Sequence, residues 1–378
     1  MKILHVISSM GVLSGGPTVS TLLTAQGESN LGLDVEILTY EAQVGDHLIS
    51  NDPFIHTVPA PVERRFAYST FYKKALQETT SDLYHIQGIW KYPSICAAAW
   101  ARKKKKPYVI TLRGMLYPQC FEQSEFIKRF SLWLYLASDL QKASCLHATC
   151  VEEMEHLRNL GICTPIAVIP NPIQTIGIEK TVYTPEKKCI GYLGRIHPRK
   201  RIERLLYAMD MLREQAFELV IIGDGEKSYL QYLKDEVARL KLEHVTFTGF
   251  LTGEEKNRAL EELSYMIIPS DFENFGNIAT EALLRGIPVI ASKGTPWEDL
   301  NIYHCGWWVD NDVETLTATI RRALSISKEE RIAMGIAGKK LIIDKYSLEI
   351  IANKMKQLYE WILCKTEKPD FVYLLDEI

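Results

Sequence analysis

Hydrophobic positions along the chain fall into two alternating patterns. Short, mostly apolar runs predict buried strands, whereas longer stretches with one apolar face predict helices between them. The predicted strands of the first half cover residues 2–7, 34–39, 54–58, 83–87, 108–112, 143–148 and 166–173, and those of the second half cover 188–193, 217–222, 245–251, 264–269 and 287–291. Strands that alternate with helices in this way favour doubly wound parallel sheets, the α/β class.

The length of the chain and one polar segment predict two domains. At 378 residues the chain is long for a single core, and the proline-containing, polar segment 170–188 separates the two series of strands. We therefore predict an N-terminal domain over 1–178, a second domain over 179–346 and a helix over 347–364. The tail 365–378 contains an apolar run that is either disordered or a docking strand.

The composition is that of a globular protein, with 47% hydrophobic and 24% charged residues. The formal net charge of −3 gives no reason to expect a nucleic-acid partner. The N-terminal strand runs into polar residues without a signal-peptide pattern, and no apolar run approaches the ~20 residues of a membrane span, so we expect a cytoplasmic protein. The eight cysteines have no zinc-ligand spacing and are expected to be reduced packing residues.

The segment 264–291 predicts a strand–helix–strand unit and places two glutamates beside its first loop. The strand at 264–269 is followed by a helix over 276–285. Glu273 lies in the intervening loop and Glu281 lies further along the helix, so both carboxylates can reach the crevice where parallel sheets bind ligands. Each glutamate alone is also compatible with a solvated surface position.

The same loop predicts an anion site. Gly276 has no Cβ, so a ligand can approach the backbone closely, and the N–H groups of Asn277 and Ile278 point outward at the positive end of the helix dipole. A phosphate suits that position. Carboxylates beside a phosphate site indicate a ligand that carries both hydroxyl groups and a pyrophosphate, such as a nucleotide sugar.

The spacing of Glu273 and Glu281, together with the Gly-Ile-Pro-Val-Ile run at 286–290, resembles the E-x7-E signature of the retaining glycosyltransferases, family 4 (group 1) in particular. The resemblance implies the GT-B fold, in which two Rossmann-like domains with parallel sheets face each other across a cleft and the last helix crosses back to the first domain. It also implies that Glu273 orients the donor sugar and that Glu281 holds the ribose. The implied donor-binding segment includes Phe275.

Clustered cations follow the predicted strand at 188–193. Positive charge at the start of the next helix opposes the helix dipole, and an anionic ligand would resolve that conflict. Arg195 and Lys200 match the family's Gly-Arg…Lys pair, which grips the pyrophosphate. The resemblance also makes Phe250 and Leu251 candidates for packing on the base, although both could equally be core residues. It leaves a UDP-linked and a GDP-linked donor open.

The first half contains candidate residues at three strand ends. Gly15 and Gly16 lie in a glycine-rich loop after the first strand, where Rossmann-like domains bind anions. The loop is not a dinucleotide fingerprint, but it resembles the family loop that faces the donor phosphates and the acceptor. His85 resembles the first histidine of the family's His-x-His strand, with a packing role as the alternative. Arg113 stands where many members carry a histidine near the donor sugar.

Two further segments have both a functional and an ordinary interpretation. The basic run 102–106, followed by an aromatic amphipathic helix over 126–140, indicates either a solvated helix end or docking on an anionic membrane at its inner face. Asp310 and Asp312 have the D-x-D spacing of metal-dependent glycosyltransferases, but Asp312 also makes an ordinary helix N-cap. With cations placed for the diphosphate, we expect neither a metal nor a cofactor beyond the donor.

The resemblance as a whole implies a retaining, metal-independent hexosyltransferase that moves a sugar from a nucleotide diphosphate sugar to an acceptor hydroxyl. No residue stands out as a covalent nucleophile, which favours front-face attack over double displacement. We expect a glycan or a lipid-linked acceptor, in the assembly of a surface polysaccharide, a lipopolysaccharide or a glycolipid. The alternatives are a nucleotide-sugar epimerase of the same fold and a sugar-nucleotide or lipid-surface binding protein without catalysis.

Overall fold

The computed structural model describes residues 1–63, 65–120, 136–175, 185 and 188–375. Its contacts divide the chain into two compact units. Unit 1 combines Met1–Gln174 with Leu348–Ile378, and unit 2 is Thr175–Ser347. Most of the helix predicted over 126–140 and much of the linker predicted over 170–188 lie outside the described residues.

Unit 1 is built on a sheet of eight strands. These are β1 (Lys2–Val6), β2 (Asp34–Tyr40), β3 (Ile55–Val58), β4 (Leu83–Gln87), β5 (Tyr108–Thr111), β6 (Cys145–Ala148), β7 (Ile166–Val168) and β14 (Val372–Tyr373). Their order is β14-β7-β6-β5-β4-β1-β2-β3, and all neighbours pair in parallel except β14, which is antiparallel to β7. The strand order reverses at β1, the arrangement of a Rossmann-like sheet.

The last helix of the chain packs on the first. The described helices of unit 1 are α1 (Gly16–Asn30), α2 (Thr70–Glu78), α3 (Tyr92–Lys103), α4 (Ala137–Gln141), α5 (Val151–Asn159) and α13 (Leu348–Ile362). A Cβ atom on Gly27 would lie 2.7 Å from the Cβ atom of Ala352, so the absence of a side chain at Gly27 lets α1 and α13 approach closely. The prediction that the last helix returns to the first domain is therefore confirmed.

The C-terminal tail adds the edge strand β14 to the sheet of unit 1. Val372 pairs with Ala167, and the side chains of Phe371 and Val372 are buried. The guanidinium of Arg158 donates a hydrogen bond of 3.0 Å to the carbonyl oxygen of Tyr373. Of the two alternatives for the tail, the docking strand is confirmed, and β14 covers the edge that β7 would otherwise expose.

Unit 2 is a second parallel sheet with helices between its strands. The strands are β8 (Cys189–Leu193), β9 (Glu218–Ile222), β10 (Val245–Gly249), β11 (Tyr265–Ile268), β12 (Val289–Ser292) and β13 (Gly306–Val309), in the order β10-β9-β8-β11-β12-β13. The helices are α6 (Glu203–Asp210), α7 (Lys227–Leu240), α8 (Gly253–Glu261), α9 (Asn277–Leu284), α10 (Asp299–Ile302), α11 (Val313–Ser325) and α12 (Lys328–Tyr346). The strand β13 was not predicted from the sequence.

The loops at the carboxyl ends of these strands touch backbone to backbone. A Cβ atom on Gly223, after β9, would lie 1.9 Å from the carbonyl oxygen of Gly194, after β8. A Cβ atom on Gly294, after β12, would lie 2.3 Å from the carbonyl oxygen of Asp271, after β11. Glycine is therefore required where neighbouring strand-end loops pack together, and this packing positions the residues of the candidate site.

Cations of the basic run 102–106 have partners within unit 1. Arg102 forms an ion pair with the carboxylate of Asp139. The Nζ atoms of Lys103 and Lys104 lie 5.5 and 4.8 Å from the ring centre of Trp100. These contacts are compatible with an ordinary helix end. The side chains of 103–106 are exposed, and docking on an anionic membrane stays a prediction. Within the described residues, no helix combines the length and the apolar character needed to cross a bilayer.

Candidate active site

The loop between β11 and α9 holds Glu273 in contact with Lys200. One carboxylate oxygen, Oε1, accepts a hydrogen bond of 2.9 Å from the hydroxyl of buried Ser270 and a close hydrogen bond from the ammonium group of Lys200. The backbone N–H of Glu273 donates to the carbonyl oxygen of Gly294 at 2.8 Å. Two residues predicted independently from distant segments thus form one cation–carboxylate cluster, and both side chains are largely buried.

Gly276 makes the turn from this loop into α9. Its φ of 77° is in the left-handed region that glycine adopts without strain. The first N–H groups of α9, including that of Ile278, have no acceptor within the helix, which leaves the positive end of the helix dipole at the loop. Next to it, the ring of Phe275 is buried against Trp297, and the indole N–H of Trp297 donates to the carbonyl oxygen of Phe275 at 2.7 Å.

Glu281 lies on α9 and is paired with a lysine that the sequence did not single out. The ammonium group of Lys256, on α8, lies 2.8 Å from the carboxylate of Glu281. The guanidinium of Arg285 donates to the main-chain oxygen of Glu281 at 2.9 Å and to the side chain of Asn257 at 2.6 Å. Helices α8 and α9 are therefore linked beside the predicted ribose site.

Arg195 is an exposed cation on the loop after β8. Its main-chain oxygen accepts a hydrogen bond of 2.9 Å from the hydroxyl of buried Tyr192, so the backbone of the loop is held in place. Among the described residues, no hydrogen bond or ion pair occupies the guanidinium of Arg195. The side chain is thus available to an anion from solution.

The candidates for base packing lie just beyond β10. Phe250 is 58% exposed, and Leu251 is half-buried. Phe250 is therefore not a core residue of unit 2. An exposed aromatic ring after a strand end is compatible with stacking on a base, and contact with a nucleotide stays a prediction.

In unit 1, the glycine-rich loop begins α1. Gly15 has a φ of 72° and is the N-cap residue of α1, while Gly16 is the first residue of the helix. Both are exposed. A Cβ atom on Gly15 would meet no heavy atom within 4 Å, so the requirement for glycine there comes from the backbone conformation.

His85 is completely buried in β4, an interior strand of the unit 1 sheet. Its Nδ1 atom lies 2.7 Å from the hydroxyl of Tyr359, on α13, and its Nε2 atom lies 2.6 Å from the hydroxyl of Thr111. Burial, reinforced by the neighbouring His5 and His147, lowers the pKa of His85 well below its ordinary value. Since neither nitrogen is accessible, the geometry supports the packing alternative for this residue.

Arg113 is held by neutral acceptors at the end of β5. Its guanidinium donates to the side chains of Gln87 at 2.8 Å, Ser20 at 2.7 Å and Asn171 at 3.1 Å. Its φ of 53° lies in the left-handed region, and burial lowers its pKa to about 10. The guanidinium therefore links the start of α1 to the ends of β4 and β7. Contact with a donor sugar stays a prediction.

The D-x-D segment has structural contacts for each of its side chains. Asp312 is the N-cap of α11 and accepts from the N–H of Thr315 at 2.7 Å, which confirms the capping interpretation. Asp310 lies 3.0 Å from the ammonium group of Lys293. The amide of Asn311 donates to the carbonyl oxygen of Pro269 at 2.9 Å.

One buried group in unit 1 has the residue types of a metal site. His5, Glu28 and His85 bring potential ligand atoms within 4.8 Å of one another. However, Nε2 of His5 lies 2.7 Å from the carboxylate of Glu28, and the other oxygen of that carboxylate accepts from Tyr359 at 2.7 Å. His5 and Glu28 are therefore hydrogen-bonded to each other, and both nitrogens of His85 are engaged by the hydroxyl groups of Tyr359 and Thr111.

Two family models match the chain in succession. Residues 15–172 match the glycosyl transferase 4-like domain, and residues 176–341 match glycosyl transferases group 1. Together they cover most of both units. The chain belongs to this glycosyltransferase family.

The relatives of this family member include an uncharacterised glycosyltransferase of Methanocaldococcus jannaschii, 31% identical over 50% of this chain and 47% of the relative. A GDP-mannose-dependent alpha-mannosyltransferase of Mycolicibacterium smegmatis is 28% identical over 49% of this chain and 46% of the relative. The chain thus spans about half the length of these relatives. A second M. jannaschii glycosyltransferase, also uncharacterised, is 24% identical over 87% of this chain and 90% of its own length.

Solved structures show the same fold. A sucrose-phosphate synthase of Thermosynechococcus elongatus has a TM-score of 0.78 at 20% identity and covers 97% of this chain and 100% of its own. The Anabaena protein HepE, solved with UDP and glucose, has a TM-score of 0.75 at 17% identity, covering 96% of this chain and 100% of its own. The predicted GT-B class, with two Rossmann-like halves and a returning helix, is confirmed.

Several residues around the candidate site of this family member were missed by sequence reasoning. Ser270 and Lys256 contact the two glutamates, and Asp271 contacts the loop that bears Lys200. Ser270 and Asp271 stand inside the recognised segment, so their position was a usable signal. Lys256 carried no local signal, because a lysine in a helix is ordinary in sequence.

Proposed function

We propose that the protein is a retaining glycosyltransferase that moves a hexosyl group from a nucleotide diphosphate sugar to an acceptor hydroxyl. The observation that carries the proposal is the contact of Lys200 with Glu273 at the edge of unit 2. With exposed Arg195, this edge offers cations and a helix N-terminus for a diphosphate and a carboxylate for sugar hydroxyls. Both ends of a nucleotide sugar are thereby matched.

We assign Arg195 and Lys200 to stabilisation of the leaving diphosphate. When the bond between the sugar and the diphosphate breaks, negative charge develops on the phosphate oxygen, and Arg195 and Lys200 stabilise that charge. A preorganised donor of this kind contributes about 3 kcal/mol of transition-state stabilisation in well-studied enzymes. Because two cations and the start of α9 serve this role, the proposed reaction is metal-independent.

Glu273 is assigned to orientation of the donor sugar. Its carboxylate is already engaged by Lys200 and Ser270, which suits a hydrogen-bond acceptor for hydroxyl groups better than a nucleophile. We therefore propose front-face attack. The acceptor oxygen bonds to the anomeric carbon on the face that the diphosphate leaves, and the acceptor proton passes to the leaving phosphate oxygen.

The donor is proposed from the named relatives and the fold. The relatives include GDP-mannose-dependent mannosyltransferases, whereas HepE was solved with UDP. GDP-mannose is the first donor to test, and UDP-glucose is the second. In thermal unfolding, a ligand at 100 times its dissociation constant adds about 2.7 kcal/mol of apparent stability. A shift with one nucleotide family identifies the base, and no shift with either family contradicts the proposal.

Glu273→Gln tests the reaction itself. We expect release of nucleotide from the donor, with simple glycosides as acceptors, to fall about hundredfold in kcat while nucleotide affinity changes little, because the carboxylate acts on the sugar. Glu329→Gln, an exposed glutamate on α12, is the matched control. Wild-type turnover in Glu273→Gln would contradict the assignment. Acceptor-independent conversion of the donor would indicate an epimerase, and affinity without turnover would indicate a binding protein.

The acceptor and the location of the enzyme complete the proposal. We propose a glycan or lipid-linked acceptor in the assembly of a surface polysaccharide or glycolipid, with the enzyme in the cytoplasm and peripheral at the inner face of the membrane. The basic run 102–106 is the feature that motivates membrane contact. In liposome flotation, we expect recovery to depend on anionic lipid and to fall when Lys103, Lys104 and Lys105 are all changed to alanine. Equal recovery without anionic lipid would contradict the membrane contact.

A further inference from the structure

Asp271 connects the loop that carries Lys200 to the loop that carries Glu273. Its carboxylate accepts a close hydrogen bond from Nε of Arg201 and one of 2.9 Å from Arg204. Its backbone N–H donates to the carbonyl oxygen of Arg199 at 3.0 Å. A side-chain contact and a main-chain contact of one residue therefore hold both sides of the turn in which Lys200 lies.

The turn has a backbone conformation that needs such support. Residues Pro198–Lys200 form one turn of 3-10 helix, and Arg201, directly after it, has φ 50° and ψ 40°. This left-handed conformation is unfavourable for a residue with a side chain, and strain of this kind persists only where surrounding contacts determine it. Of the two ion pairs that the Arg201 side chain makes among the described residues, the one with Asp271 is the closer, since Glu203 lies 3.7 Å away.

The contacts are ordered along the two loops. Arg199 is joined to Asp271 through the backbone, Lys200 to Glu273 through side chains, and Arg201 to Asp271 through side chains. Lys200 and Glu273 therefore meet between two links that both end on Asp271. If those links loosen, the ammonium group of Lys200 is free to leave the position at which it contacts Glu273.

The partial exposure of this cluster argues against a role in overall stability. The side chains of Asp271 and Arg201 are 35% and 42% exposed, and exposed ion pairs stabilise folded proteins little. The contacts of Asp271 can still determine the geometry of the loops. The amide of Asn311 also donates to the Asp271 carboxylate, at 3.2 Å, so several donors restrict its position. Because this carboxylate has several partners and lies beside Lys200 and Glu273, the two candidates for substrate contact, it fits a role in aligning them.

We infer that Asp271 is a positioning residue that holds Lys200 in its place beside Glu273. The inference rests on the proposed function only for its effect on sugar transfer. Asp271→Asn removes the charge that Arg201 and Arg204 face while keeping the size of the side chain. We expect kcat at saturating donor to fall about tenfold, as misplacement of a catalytic group does, with the melting temperature of unit 2 nearly unchanged.

The chain offers a control and a compensating variant. Asp310→Asn also removes an exposed aspartate paired with a cation near the same sheet edge, Lys293, and is expected to keep kcat within twofold. Arg201→Gly removes the side chain that is unfavourable at this backbone conformation. In the Arg201→Gly background the turn no longer depends on the carboxylate to the same degree, so Asp271→Asn is expected to reduce kcat less than threefold.

Hydrogen exchange of the peptide over 195–201 provides a readout that does not depend on activity. We expect exchange in this peptide to become about tenfold faster in Asp271→Asn and to stay unchanged in Asp310→Asn. Unchanged exchange would overturn the inference whatever the kinetics. Full kcat in Asp271→Asn, or equal losses with and without Arg201→Gly, would also overturn it. If the wild-type protein transfers no sugar, the proposed function fails, and the exchange result still decides whether Asp271 positions the turn.

Discussion

Acidification is expected to destabilise unit 1 through buried His147. The imidazole is almost fully buried, with Nε2 2.7 Å from the carbonyl oxygen of Ile169 and Nδ1 2.9 Å from the hydroxyl of Thr111. Burial lowers the pKa of His147 to about 3 from an ordinary value of 6.5. The folded state therefore keeps this ring neutral at pH values at which the unfolded chain protonates it.

The sign and size of the effect follow from proton binding. Below pH 6.5 His147 is protonated in the unfolded state but stays neutral in the folded state. The contribution of His147 to stability is therefore complete above pH 6.5 and is lost as the pH falls toward 3. The loss approaches about 1.4 kcal/mol for each pH unit. Between pH 6.5 and 4.5 this residue alone is expected to lower the free energy of unfolding by about 2 kcal/mol.

The measurement compares how steeply the free energy of unfolding depends on pH, not its absolute value. Urea unfolding is followed from pH 7.5 to 4.5 by pulsed hydrogen exchange of peptides from β4, β5 and β6, so that only unit 1 is observed. His147→Asn is expected to flatten the pH dependence by about one proton. Thr111→Val loses the hydrogen bonds to His147 and to His85 without removing a titrating group, so it should keep the wild-type slope. Identical slopes in the wild type and His147→Asn would refute the reasoning.

Three further changes test other parts of the chain. Arg195→Ala is expected to weaken nucleotide diphosphate binding about tenfold, since it removes an exposed cation that has no ion-pair partner among the described residues. Calorimetric titration measures this, and the same affinity in Arg195→Ala as in the control Arg199→Ala would contradict it. Gly223→Ala places a Cβ atom 1.9 Å from the carbonyl oxygen of Gly194 and should lower the melting temperature of unit 2, as differential scanning calorimetry can test; an unchanged melting temperature would contradict the tight packing. Val372→Asp buries a charge in β14, so limited proteolysis should cleave the tail in the variant and spare it in the wild type; equal protection would contradict the docked strand.

Local sequence patterns were sufficient for the sheets and for the loop that carries Glu273. Strands of a parallel sheet are apolar on both faces, so β11 is visible as a continuous hydrophobic run between turn residues. The start of α9 at Gly276 was predicted from the sequence, and the structure gives this glycine a positive φ that few other residues adopt. Lys200 was predictable because a cation at the start of a helix is unfavourable without an anion.

The sequence by itself therefore determined the two Rossmann-like sheets, the strand-end loops and the presence of Glu273 and Lys200 on them. Only the tertiary structure decided which side chains meet. His85 contacts Tyr359 from 274 residues away, and Asp271 contacts Arg201 from 70 residues away. Such pairings carry no period or local propensity, because burial, hydrogen bonding and charge interaction depend on distances in space that exist only after the sheets have formed.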